Sequence, residues 1–140
     1  MVLPFPTLLV GRGRSSLVNA PKFRTETQSK IEDMEKQFIE IKTTCDDQEV
    51  LKKIAKALLE AKLAACVQIG KPVVSSYHWQ GKLESKKEWT LEAKSISYLT
   101  NNAMTVIQEH HSYDEPEIVS TQFTPVSDGY AIWLLENLAS

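Results

Sequence analysis

The chain has 140 residues, room for one compact domain and not two. Its apolar share of 42% and charged share of 24% are ordinary for a globular protein, and no run of about 18 apolar residues is present to span a membrane. Residues 1–25 carry Arg12, Arg14, Lys22 and Arg24 and no acid, whereas the rest holds 12 basic and 18 acidic side chains, an acidic body that argues against a nucleic-acid-binding face.

In chain order, residues 1–37 read as a basic, flexible leader. Pro4, Pro6, Pro21, Gly11 and Gly13 interrupt any regular element. Arginine, serine and threonine without acid until Glu26 is the composition of an organelle transit peptide. A secretory signal fits less well, because Arg12 and Arg14 follow the apolar stretch. The competing reading is an N-terminal segment with no address. The protein is thus expected in the cytoplasm, or in a plastid or mitochondrion after cleavage before Phe38.

The folded domain is expected over residues 38–140. Phe38, Ile39 and Ile41 open a short strand, FIEIKTT. Two i, i+4 rows follow, Val50-Ile54-Leu58 and Leu51-Ala55-Leu59, predicting an amphipathic helix to about Lys62. Thr44 or Asp46 is placed as its cap. Val73, Ser75, Tyr77 and Trp79, then Trp89, Leu91 and Ala93, alternate with polar neighbours as strands do. The polar run Glu84 to Lys87 is taken as the reversal of a hairpin, with a bulge at Gly81. Arms of about ten residues reach roughly 33 Å, longer than a domain of about 100 residues comfortably covers. Such an overhang invites a partner subunit.

Leu99, Ala103, Val106 and Ile107 predict a second helix ending near His110. EIVSTQF, residues 117–123, reads as a strand. DGYAIWLLENL, residues 128–138, reads as a last helix with Trp133 packing inward. The fold class is therefore α+β. The order β-α-β-β-α-β plus a C-terminal helix is that of a ferredoxin-like split βαβ sandwich.

The two cysteines, Cys45 and Cys66, make no disulfide scaffold and lack CxxC spacing, so a reduced compartment is expected. No GxSxG, HExxH, P-loop or GxGxxG is present, and no enzyme and no organic cofactor is expected.

Three segments resemble the CutA family of divalent-ion tolerance proteins. Leu63-Ala64-Ala65-Cys66-Val67 resembles its LAACV element. Ser76 to Leu83, SYHWQGKL, resembles its S-x-Y-x-W-x-G-K-[IL] hairpin. His111 to Ile118, HSYDEPEI, resembles its H-P-Y-x-x-P-E-I element. They occur in family order and spacing. Ser112 stands where the family usually has proline, which loosens the chain after His111. Asp46 stands where the first loop often has proline.

The resemblance implies a homotrimer whose long hairpins pair between subunits, and a link to divalent metals, copper first and zinc second. The fold and trimeric state resemble those of the PII signalling proteins. The metal candidates are Cys66, His111 and Glu117. Each also has a structural reading: a small core thiol, a hydrogen-bonded histidine, a solvated acid. His110 and His111 are adjacent and point in different directions. Cys45 matches no family motif and is taken as a loop residue. Tyr77, Trp79 and Tyr113 are expected at an inter-subunit interface, with Lys94 in a cleft there. Two hypotheses follow. One is a metal-binding tolerance protein. The other is a non-catalytic, PII-like scaffold or small-molecule-sensing module that holds an anionic metabolite through Lys94.

Overall fold

A computed structural model describes residues 37–140; the leader read from the sequence, residues 1–37, lies outside them except for Gln37. The elements are β1 (Phe38–Cys45), α1 (Gln48–Glu60), β2 (Cys66–Ile69), β3 (Val73–Trp79), β4 (Lys82–Ile96), α2 (Thr100–His110), β5 (Ile118–Gln122) and α3 (Asp128–Glu136). The sheet runs β2-β4-β1-β5, every neighbouring pair antiparallel, with β3 paired to the outer half of β4.

Period-two patterning decides which face is dry. Ile39 pairs with Ser95, Ile41 with Ala93 and Thr43 with Leu91, and all six side chains are buried. Ile39, Ile41, Leu91 and Ala93 lie beneath Leu51, Ile54 and Leu58 of α1 and Ala103 and Ile107 of α2, in one core cluster. Each leucine or isoleucine among them contributes about 1.5–3 kcal/mol by leaving water. The buried stripe of α1 runs between the two rows read from the sequence, so Leu59 stays 43% exposed.

The intervening residues face the other way. Cys66 pairs with Lys94, and Lys94 with Glu40. Lys94 Nζ lies 3.4 Å from a Glu40 carboxylate oxygen and donates to Gln68 at 3.4 Å. α3 brings Tyr130 within electrostatic reach of this group, and burial pushes its phenol up. Leu134, fully buried, is the inward residue of α3, whereas Trp133 is half-buried and stacks on Tyr130.

Several local expectations are corrected. Asp47, not Thr44 or Asp46, caps α1, accepting from the Glu49 N–H at 2.9 Å. The helix stops at Glu60, because Lys62 turns left-handed with φ 55°. Cys45 is the fully buried last residue of β1, not a loop residue. The hairpin reverses at Gln80 and Gly81, not at 84–87. Trp79 and Lys82 are paired, leaving a two-residue loop with φ 51° and 77°. Two successive left-handed residues match the right-handed twist of the flanking strands. Gly81 is therefore part of the turn and no bulge precedes the reversal, so β4 runs unbroken for 15 residues.

Candidate functional site

The loop between α2 and β5 is sewn to the end of β1. His111 is 9% exposed. Its Nδ1 accepts from the Tyr113 N–H at 3.0 Å, so the ring proton sits on Nε2, which donates to the Thr44 carbonyl at 2.8 Å. The Thr44 hydroxyl donates to Glu117 at 3.2 Å. Ser112 Oγ lies 3.4 Å from Cys45 Sγ, so the serine that replaces the family's proline is tied down by a side-chain contact.

Tyr113 carries this loop to the hairpin. Its hydroxyl accepts the Asp46 N–H at 2.9 Å and donates to Glu88 at 2.7 Å. Burial first, and the Glu88 hydrogen bond second, push the phenol above its ordinary range. Lys86 Nζ lies 4.6 Å from the Tyr113 ring centroid and 3.0 Å from an Asp46 carboxylate oxygen. The hydrogen bond from Lys86 holds the Asp46 carboxyl below its usual range, and the same bond raises the lysine. Glu88 itself is only 6% exposed.

Beside this clasp lies a cleft of about 750 Å³, walled by Tyr77 and Trp79 of β3, Glu84, Lys86 and Glu88 of β4, Thr44, and the loop residues Tyr113, Asp114, Glu115 and Glu117. Five carboxylates and one lysine line it, so its field favours cations.

Four of the residues singled out in the sequence, Glu117, Tyr77, Trp79 and Tyr113, therefore share one cleft. The other three do not. His111 stands behind Tyr113 and has no ring lone pair left for a metal. Cys66 and Lys94 sit at the other end of the sheet, since Lys94 is six residues along β4 from Glu88, or about 20 Å. Among the described residues, no three His, Cys, Asp or Glu side chains come together to hold a metal ion. Lys86 was missed because Glu84 to Lys87 reads as the reversal of a hairpin, and Glu88 because the loop that covers it is distant in sequence.

The sequence matches the family model described as CutA1 divalent ion tolerance protein over residues 39–137. It is 36% identical over 94 residues to the divalent-cation tolerance protein CutA of Thermus thermophilus, covering 67% of this chain and 91% of that one. It is 35% identical over 96 residues to the chloroplastic protein CutA of Arabidopsis thaliana, covering 69% of this chain but 53% of that longer one. The chain thus spans about half the length of the plant relative. The fold superposes on the crystal structure of CutA1 from Shewanella sp. SIB1 with a TM-score of 0.72 at 33% identity, over 76% of this chain and 99% of that one. CutA1 from Oryza sativa gives 0.71 at 27% identity, over 76% and 97%.

Proposed function

The chain belongs to the CutA1 divalent ion tolerance family, and from that premise we propose that it is a homotrimeric, non-catalytic protein that binds divalent cations at the root of its hairpin. The observation that carries this reading is the acid-lined cleft. Oxygen donors rank Cu²⁺ above Zn²⁺ on the general affinity order of the divalent metals. Of Cys66, His111 and Glu117, only Glu117 lines the cleft, and its Oε1 has no protein partner among the described residues. Among the described residues, the donors of one subunit do not converge on a point. A second subunit must complete a coordination sphere, and Cys66 can add a soft ligand only from there. The strand order β2-β4-β1-β5 supports the ferredoxin-like sandwich, and the open edge of its hairpin supports assembly.

The alternative, a PII-like module that holds an anionic metabolite through Lys94, is weaker. Glu40, beside the ammonium at 3.4 Å, already matches its charge.

We place the mature protein in an organelle. The acid-free composition of residues 1–25 supports this, as does the chloroplastic relative. A full-length fusion that stays uncleaved and diffuse in the cytosol overturns it.

Calorimetric titration of the assembled protein with Cu²⁺ and Zn²⁺ tests the metal reading. Saturable binding that weakens in Glu117→Gln is expected. Binding absent at millimolar metal, or indifferent to Glu117→Gln, overturns it.

A further inference from the structure

We infer that Cys66 and Lys94 form an oxidant-dependent cross-link, a sulfenamide that joins β2 to β4 on the sheet face opposite α1 and α2. The linkage lies within one subunit and is independent of the cleft at the hairpin root.

Register is the first reason. Cys66 and Lys94 are directly opposed in the antiparallel ladder, so their side chains leave the same face with Cβ atoms about 4.5–5.5 Å apart. The amine leans toward the strand that carries the thiol. Lys94 Nζ lies 3.4 Å from Gln68 Oε1, and Gln68 follows Cys66 by two residues on the same face of β2. Glu40 of β1 holds the ammonium from the other side at 3.4 Å. The Tyr130 phenol, shifted chiefly by burial, also interacts electrostatically with Lys94, Cys66 and Glu40, which places the thiol in the same group.

The contrast between the two cysteines is the second reason. Cys45 is fully buried in the core, receives the Asp47 N–H at 3.5 Å and lies 3.4 Å from Ser112 Oγ. Cys66 is half-buried and makes no hydrogen bond among the described residues. An accessible thiol near a cation is the kind that oxidises. Cys45 pairs with Trp89 and Cys66 with Lys94, positions five residues or about 16 Å apart along β4. That exceeds the reach of a disulfide, so within the chain Lys94, not Cys45, is the nucleophile at hand for an oxidised Cys66. Peroxide is smaller than a hydrated metal ion, so an assembly that leaves Cys66 open to a cation leaves it open to the oxidant.

The co-reactant is hydrogen peroxide. The Cys66 thiolate attacks one peroxide oxygen; an S–O bond forms, the O–O bond breaks and hydroxide leaves, giving the sulfenic acid. The hydroxide takes a proton from the Lys94 ammonium and becomes water. The free amine then attacks the sulfenic sulfur; an N–S bond forms, the S–O bond breaks, and the departing oxygen leaves as water with a proton from the amine. Sulfur gives up two electrons and peroxide accepts them. Sulfenic acids condense with nitrogen in this manner, and the product stops short of the irreversible sulfinic acid.

Peptide mapping after peroxide treatment of the reduced, EDTA-treated full chain tests the inference at Cys66 itself. Expected is a joined pair of fragments, one with Cys66 and one with Lys94, about 2 Da below their summed mass and separated again by a thiol reductant. Lys94→Arg keeps the charge beside Glu40 and should abolish the link, letting Cys66 run on to the sulfinic acid. Lys42→Arg, on the same face of β1 as Glu40, and Cys45→Ser should both leave it intact. Should Lys94→Arg fail to fold, the wild type in concentrated urea serves instead, since the link needs the ladder and should be lost there. Sulfinic acid at Cys66 with Lys94 unmodified in the native wild type overturns the inference. So does a Cys66 link that survives Lys94→Arg, requires Cys45, or forms equally in urea.

Discussion

The Tyr113 hydroxyl donates to the buried Glu88 carboxylate at 2.7 Å, joining a loop to a hairpin strand across 25 residues of sequence. The bond is charge-assisted and largely out of water, the regime in which hydrogen bonds contribute most. It is also the one hydrogen bond that the Glu88 side chain receives among the described residues.

Tyr113→Phe keeps the ring beneath Lys86 and removes only the hydroxyl. It leaves both the Asp46 N–H and Glu88 without that partner. A loss of about 1–3 kcal/mol is expected from equilibrium urea unfolding. Glu88→Gln should cost less in the Tyr113→Phe background than in the wild type, because the carboxylate has already lost its donor. Additive costs in the double-mutant cycle would sink the proposed coupling.

Asp46 gives the clasp an acid limit. Its folded carboxyl is held below the unfolded value of 3.8, chiefly by the hydrogen bond from Lys86. A depressed carboxyl stabilises the fold above its unfolded pKa, and that contribution is lost as pH falls through the lower folded value. The pair is more than a third exposed on both sides, so the effect is small, roughly 0.5 kcal/mol or less after solvent screening. Asp46→Asn should therefore be slightly less stable than wild type at pH 7. The gap in urea midpoint should close below about pH 4 and shrink in molar salt. A gap that widens in acid would count against this account.

The two-residue turn offers a test free of packing. A Cβ on Gly81 meets nothing within 4 Å, so any cost of Gly81→Ala comes from the left-handed backbone alone. That cost is about 1 kcal/mol. Gln80→Asn should instead gain a few tenths of a kcal/mol, roughly, since asparagine tolerates that conformation. Chemical denaturation of both variants reads the two signs.

The core strands were legible because burial imposes alternation. Ile39 and Ile41 on β1, and Leu91 and Ala93 on β4, point to the helices and repeat at two. The same rule misled at the hairpin. Residues 82–85 and 87 are exposed, so no dry face marks the strand there. Glu84 to Lys87 then reads as a loop, and the true signal is only Gln80-Gly81. Within the site, the shared elements of Glu117 and Tyr113 were readable from motif. The hydrogen-bonded role of His111 was one of its two readings, but its partners were not readable, since both are backbone atoms that any sequence supplies. Glu88 was hidden for a related reason: the loop that covers it arrives from 25 residues away.

Thr43 faces the core of β1 with its hydroxyl unpartnered and fully buried among the described residues. Valine has the same shape and β-branching and no polar atom to desolvate. Thr43→Val should raise stability by about 1 kcal/mol. The check is a higher urea midpoint at unchanged slope. A lower midpoint would mean that an ordered water satisfies the hydroxyl.

The hairpin itself sets the last prediction, an obligate homotrimer. Among the described residues β3 pairs only with β4, which leaves its other edge open. Its surface is apolar where a monomer's should be wet: Val74 is 75% exposed, Leu83 73% and Trp79 60%. Open edges and exposed apolar surface promote uncontrolled association unless a partner covers them. Three hairpins closing around one axis cover them and leave no free heterologous surface. The interface should belong to the obligate class, about 2,000 Å² or more. Melting should then depend on protein concentration, because subunits unfold as they separate. Trp79→Ala should cost about 3–5 kcal/mol of assembly free energy if the indole is fully covered. Light scattering at low micromolar concentration decides the matter. A mass near the 15.8 kDa of one chain, with folded-state dichroism intact, defeats the trimer and with it the completed metal site.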